Sequence, residues 1–288
     1  MTIGLLPKLY SPGYTPGRKP VGGQWEIDWQ HPLAENLLFF ATVQNGKFVN
    51  LADKDRQVAQ FPTLTADIRA DKLVTGSGKT ASFDVGSITG QNKLTFATSV
   101  NLYNEVNTSC YVFGADDIDW LLAWNNSENR FQANFNGAEN WSQTTSTFTL
   151  NTTNSVMAVK TGLTFKFDGH WFVNGKKENT YEGDIDDRTT TSDIDTDITI
   201  GDRSSGSRWW DGEIEYVAIW STDLSDELAQ SFQKDPYQFL KPKLDPVYFY
   251  PDVDGNPIAV NDAYDVTDGI LFESTPDSIL DNDTYNCA

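Results

Sequence analysis

Cysteine is nearly absent: the 288 residues hold only Cys110 and Cys287. The two are far apart in sequence, so no disulfide framework can be read from them. Histidine is as scarce, with His31 and His170 alone. Their separate contexts suggest neither a catalytic triad nor a metal pair. No apolar run approaches the length that spans a bilayer. The opening stretch MTIGLLPKLYSPGYTPG is interrupted by Pro7 and Pro12, which leaves no apolar segment long enough for a secretory signal. Synthesis in a cytoplasm is therefore expected, with no membrane insertion; assembly into a particle that later leaves the cell fits the same facts. Positive charge is also in short supply. Against 41 Asp and Glu stand 21 Lys and Arg, a net charge of −20. Such a surface repels phosphate backbones and anionic lipid, which argues against nucleic acid as a direct partner.

What the chain has is aromatic bulk and turn residues. The 17 Phe, 11 Tyr and 9 Trp bury a large area per residue and make a real core affordable. From Trp25 to Trp220 short β-like runs alternate with turn signals. Leu37–Val43, Leu94–Leu102, Tyr111–Gly114, Trp120–Trp124, Arg130–Phe135, Val156–Lys160, Leu163–Phe167, Asp197–Ile200 and Glu213–Trp220 read as strands. Many short strands with turns every 8–12 residues predict a sandwich or barrel. The segment Thr164–Lys176 reads as a hairpin that turns at Asp168-Gly169, followed by a second turn at Asn174-Gly175. One helix stands out after Ser225. Ser225 caps it, Asp226 and Glu227 suit the positive end of its dipole, Leu228, Ala229 and Phe232 share a face, and Asp235-Pro236 ends it.

Composition divides the chain. Residues 1–24 hold four prolines, five glycines and the locally basic pair Arg18-Lys19, which predicts an extended arm. The arm is either an anchor laid on a neighbouring subunit or a floppy tail. Residues 25–241 form the sandwich and 242–256 a linker. In the last 45 residues ten acids occur without a single Lys or Arg.

The segment Ile198–Leu240 closely resembles the last strands of laminin G-like/concanavalin A-like domains, with Trp210, Gly212, Ile214, Val217, Ile219 and Trp220 in the family's places. Phe172-Val173-Asn174-Gly175-Lys176 is similar to the family's hairpin. His31-Pro32-Leu33-Ala34-Glu35-Asn36-Leu37 is similar to the opening of phage-encoded members, with Asn36 where those usually carry glycine. The resemblance implies an all-β concanavalin A-like (laminin G-like) jelly-roll sandwich with an N-terminal arm, one short C-terminal helix and an acidic tail. Along the strand Glu213–Trp220, both faces carry apolar groups, as expected of a strand covered on both sides. Residues 257–288 resemble the first part of a bacterial cadherin-like module, through Pro257, Ala259, Asn261, Asp262, Tyr264, Asn282, Asp283 and Thr284. A full module needs about twice this length.

Several motifs bear on chemistry. Gly76–Thr80, GSGKT, imitates a phosphate-binding loop, but Leu73 stands where its first glycine belongs, so it reads as a turn. Asp193, Asp195 and Asp197 alternate and would share one face of a strand. Sandwich glycosidases set carboxylates in this way but use Glu as acid and nucleophile, so these read as solvated acids and the chain as a non-enzyme. Asp116, Asp117 and Asp119, beside Trp120 and Trp124, offer the oxygen ligands that calcium takes. Trp209, Trp141 and Trp124 are the candidates for stacking on a sugar ring, whereas Trp210 reads as core. Asn107, Asn125, Asn140 and Asn151 begin glycosylation sequons that read as chance matches.

The resemblances imply display and adhesion. The expected protein is a structural component of a bacteriophage particle surface, as a head decoration, knob or tail accessory protein. It would contact other virion proteins through its arm, reach host surface polysaccharide, and occur as a homo-oligomer or within a larger assembly. The competing expectation is a free carbohydrate-binding lectin or adhesin fragment, with a glycoside hydrolase third.

Overall fold

The computed structural model describes residues 18–20, 24–52, 60–86, 88–91, 93–106, 108–115, 120–135, 142–161, 169–178, 181–182, 192–194, 197–202, 208–243, 248–251 and 257–260. Two antiparallel sheets carry the fold. The first has eight strands in the order Tyr181–Glu182, Ser142–Gln143, Arg130–Asn134, Trp120–Asn125, Ser109–Ala115, Asp197–Ile200, Ala81–Asp84 and Thr63–Leu64. The second has nine. Seven lie in the order Lys176–Glu178, Gly169–Val173, Thr153–Lys160, Leu94–Asn104, Asp211–Trp220, Leu37–Gln44 and Lys47–Asn50. The hairpin Asp67–Arg69/Lys72–Thr75 completes it by pairing with Asp211–Trp220. Strand neighbours are often distant in sequence, because the chain crosses between sheets. This is the concanavalin A-like jelly-roll sandwich.

The main core lies between the sheets. Phe96 of the nine-stranded sheet meets Phe113 of the eight-stranded sheet edge-on at 5.2 Å and stacks at 4.4 Å on Phe135, the residue that follows Arg130–Asn134. The Trp171 indole N–H donates to Ser142 Oγ at 2.7 Å across the same gap. A second core covers the outer side of the nine-stranded sheet. There Phe40, Tyr216 and Trp220 pack against Phe232 of the helix and against Tyr237 and Phe239 beyond it. The strand Asp211–Trp220 is thus buried on both sides over its last five residues, as its double apolar pattern requires.

The face assignments along that strand differ from simple alternation. Ile214 joins Val217 and Ile219 in the main core, while Tyr216, Ala218 and Trp220 face outward. A register shift between Ile214 and Tyr216 is the cause. The extra residue, Glu215, reverses the alternation on either side of it. Gly212 is required by a close approach. A β-carbon there would meet the carbonyl oxygen of Asn101 at 2.0 Å.

The predicted hairpin at Asp168-Gly169 also differs. Gly169 lies inside a strand opposite Lys160, and Trp171 opposite Ala158. The partner is therefore Thr153–Lys160, and residues 162–168 lie outside the described residues. Local alternation does not say which strand is the partner. The second turn forms as predicted. Asn174 and Gly175 both take positive φ, 49° and 82°, the twist-compatible turn of a two-residue hairpin.

The opening motif is a turn of 3-10 helix, Pro32–Ala34, with His31 Nδ1 accepting from Leu33 N–H at 3.1 Å. Asn36 follows at φ 57°. That conformation favours glycine, and Asn is the next most tolerant residue. The helix runs Asp226–Lys234, and Ser225 Oγ accepts from Leu228 N–H at 3.3 Å. Asp226 accepts from Lys177 Nζ at 2.6 and 2.8 Å. Gln233 accepts from Gly175 N–H at 2.6 Å and donates to the Phe172 carbonyl at 3.1 Å. The helix so grips the hairpin beneath it. Leu240–Pro242, which closes the sandwich at the first residue read as linker, pairs with Trp25–Ile27, and Tyr248–Pro251, inside the stretch read as linker, pairs with Pro257–Val260 beyond it. The aromatic run Tyr248-Phe249-Tyr250 favours strand over linker.

Candidate ligand-binding face

The outer side of the eight-stranded sheet collects polar and planar groups. Tyr111 stands opposite Ala123, Ala123 opposite Gln132, and Gln132 opposite Gln143. Residues directly opposite in an antiparallel ladder share a face. Phe131 and Ala133 enter the main core, so alternation sends Gln132 and Asn134 to the other side. A second row runs through Thr63, Ser82, Thr199, Gly114, Leu121 and Asn134. Tyr111, Leu121 and Ala123 form a small apolar cluster there, separate from the main core. Gln132 Nε2 donates to Ser109 Oγ at 3.3 Å. Gln143 is 7% exposed, and its Oε1 is a buried acceptor with no donor.

Arg208 and Trp209 border this face. The Arg208 guanidinium carbon lies 5.6 Å from the Tyr111 ring centroid, and Nη1 donates to the Tyr111 hydroxyl at 3.1 Å. Cation–π contact and hydrogen bond together hold the guanidinium over the ring. The backbone is fixed as well. Tyr111 N–H donates to the Arg208 carbonyl at 2.8 Å, and Arg208 N–H donates to Oδ1 of buried Asp202 at 3.0 Å. Trp209 bridges to Tyr111 and is half-buried. Trp210, one residue on, is 0% exposed, stacked on Phe131 at 6.2 Å. One step of alternation sends these neighbouring indoles to opposite sides.

The other sequence candidates fall elsewhere. Trp124 is 2% exposed, edge-on to Phe131 at 5.3 Å and to Phe148 at 5.9 Å. It is core and has no face left for a sugar, because in its strand it shares the inward side with Trp120 and Leu122. Trp141, Asp116, Asp117 and Asp119 lie outside the described residues. Among the described residues no three His, Cys, Asp or Glu side chains gather to hold a metal ion. The alternating acids do not share one strand. Asp193 belongs to Ser192–Ile194, which pairs with Ile88–Gln91, while Asp197 starts a strand of the eight-stranded sheet opposite Asp84. Asp195 lies outside the described residues. Asp197 Oδ2 accepts from Ser82 Oγ at 2.8 Å, and Asp84 Oδ1 accepts from Gly86 N–H at 3.0 Å. Gly76–Thr80 is a turn, with Lys79 N–H donating to the Gly76 carbonyl at 3.0 Å. Its Lys79 amine is engaged by Asp67 Oδ2 at 2.8 Å, and that hydrogen bond holds the Asp67 carboxyl below its usual range.

Sequence reasoning missed Tyr111, Arg208, Asp202, Gln132 and Gln143. The alternation of Phe131-Gln132-Ala133-Asn134 was the available signal for the glutamine. The Arg208–Tyr111 contact spans 97 residues and has no local signal.

This architecture defines a lectin-like β-sandwich protein. A family model described as the concanavalin A-like lectin/glucanases superfamily matches residues 75–229, and the chain belongs to that superfamily, a lectin-like carbohydrate-binding fold family. No curated protein matches the sequence. Among solved structures, the chain is similar to Trypanosoma rangeli sialidase in complex with sialic acid, with a TM-score of 0.52 and 15% identity over 71% of this chain and 34% of that one. It is also similar to the binding domain of Paraclostridial Mosquitocidal Protein 1, with a TM-score of 0.51 and 12% identity over 70% of this chain and 52% of that one. The chain thus spans about a third of the sialidase chain. At these identities the likeness concerns the fold alone.

Proposed function

We propose that this chain is a non-enzymatic, glycan-binding structural protein displayed on the surface of a bacteriophage particle. The observation that carries glycan binding is half-buried Trp209 beside the Arg208–Tyr111 pair, at the rim of a sheet face whose carboxamides Gln132 and Gln143 are buried behind it. Aromatic planes stack on the apolar faces of sugar rings, and amide, hydroxyl and guanidinium groups bond their hydroxyls. A binding role is favoured over hydrolysis because the described carboxylates near this face are each engaged structurally: Asp84 and Asp197 are exposed and held by local hydrogen bonds, and buried Asp202 accepts from the Arg208 N–H.

The virion role is supported by the phage-like opening motif and the arm, and the cadherin-like tail fits adhesion. The arm would contact other virion proteins, and host surface polysaccharide would be the ligand of the displayed sandwich. The test is titration of the full chain against a panel of bacterial polysaccharides, beside a Trp209→Ala variant. Binding that drops at least tenfold in the variant supports the reading. Equal binding by both, or reducing ends released over time, would overturn it. Light scattering on the purified chain, with and without calcium, separates a self-assembling component from a monomeric lectin.

A further inference from the structure

The short described piece of the arm is docked on its own sandwich. Lys19 Nζ donates to the Asp71 carbonyl at 2.6 Å, 52 residues away. Lys19 and Pro20 lie in a cleft with Trp25, Thr42, Gln44, Leu51, Tyr237 and Leu240. The amine also feels the Glu215 carboxylate. Glu215 is the extra residue at the register shift in Asp211–Trp220. Its side chain lies on the outer side of the nine-stranded sheet, accepting from the Tyr237 hydroxyl at 2.9 Å and from Ser99 Oγ at 3.0 Å. The bulge thus places an anchored carboxylate beside the arm.

The other end of the sandwich leaves from the same place. Trp25 stands opposite Pro242, and Lys243 N–H donates to the Gln24 carbonyl at 2.7 Å. The chain therefore enters and leaves the domain side by side, over the outer core of the nine-stranded sheet. The Trp209 face belongs to the outer side of the other sheet.

We propose that Lys19 and Pro20 form an intramolecular clasp that fixes the root of the arm beside the start of the acidic tail, on the side of the sandwich opposite the Trp209 rim. The clasp stands without the proposed function. The occupant of the cleft is this chain's own Lys-Pro pair.

Trypsin tests the clasp in the full chain, since Arg18 is exposed and the Lys19–Pro20 bond resists the enzyme. Cleavage after Arg18 is measured in the wild type and in Lys19→Ala, each divided by the rate for a matching free peptide. At least tenfold protection in the wild type, lost in Lys19→Ala while the melting curve barely moves, is expected. Cleavage at the peptide rate in the wild type, or equal protection in both, overturns the clasp. A short amine cross-linker should join Lys19 to Lys72, the neighbour of Asp71; links only to lysines on other sides overturn the placement. Polysaccharide binding should be the same in Lys19→Ala. A clasp that holds in a protein without sugar binding would sink the functional reading and spare this one.

Discussion

Glu178 holds Ser146 to the edge of the nine-stranded sheet. Its Oε2 accepts from Ser146 N–H at 3.1 Å, and Oε1 accepts from the Ser146 hydroxyl. The same Oε2 accepts from Thr145 N–H at 3.1 Å and from Thr145 Oγ1 at 3.0 Å. Thr145 and Ser146 follow Ser142–Gln143 of the eight-stranded sheet, so one carboxylate ties the two sheets together along an open side. Hydrogen bonds to a charged group are worth more than neutral ones. Glu178→Ala is expected to cost about 2 kcal/mol, read as a lower urea midpoint with little change in slope. Glu178→Gln should recover part of the loss. An unchanged midpoint in Glu178→Ala would show that the tie carries no stability.

Gly212→Ala should be severe. The added carbon meets backbone 2.0 Å away, and backbone cannot swing aside as a side chain can. A loss of about 3 kcal/mol is expected from such overpacking, measured by chemical denaturation. A variant as stable as the wild type would mean that the two strands separate freely at this point.

The two adjacent tryptophans should behave oppositely. Trp210→Ala removes a fully buried indole and should cost about 3–5 kcal/mol. Trp209→Ala should leave the melting temperature within a few degrees and act on sugar binding instead. If Trp209→Ala melts as early as Trp210→Ala, its indole is structural.

Lys160 should make stability depend on pH. It is 7% exposed, and burial lowers its amine to about 8 from an ordinary 10.5. Between those values the unfolded chain binds more protons than the folded one, so stability rises with pH. The contribution is complete above about 10.5 and lost as pH falls through about 8. Lys160→Met should therefore be more stable than the wild type at pH 7, with the gap closing toward pH 10. Urea titrations of both proteins at the two pH values check this, and a gap independent of pH rules it out. Lys19, lowered to about 8 by burial despite Glu215 and Asp71, acts in the same direction in both proteins and cancels in the difference.

Much of the sandwich was legible because turn residues and alternation are local. Asn174-Gly175 had to turn, and Ser225 followed by two acids had to start a helix. Partners and faces were less legible. Nothing near Gly169 said that its strand would pair with Thr153–Lys160, since pairing is chosen by packing over the whole sheet. Nothing in Glu213–Trp220 announced the bulge at Glu215, which moves Ile214 inward and frees a carboxylate for Tyr237, Ser99 and the arm. For the candidate face, the sequence offered both Trp209 and Trp124. Strand phase separated them, one at the rim and one in the core.

From its sequence alone this protein was determined to be an acidic, aromatic-rich β-sandwich with a capped helix near Leu228 and no disulfide framework. Hydrophobic period and turn chemistry act within a few residues, so they can be read without knowing the fold. The tertiary structure alone decided that Arg208 lies on Tyr111, that Lys19 folds back to Asp71, and that Lys160 is buried. Each depends on residues tens of positions apart, or on strands that meet only after the chain has crossed between sheets. Such neighbours are set by the packing of both cores at once.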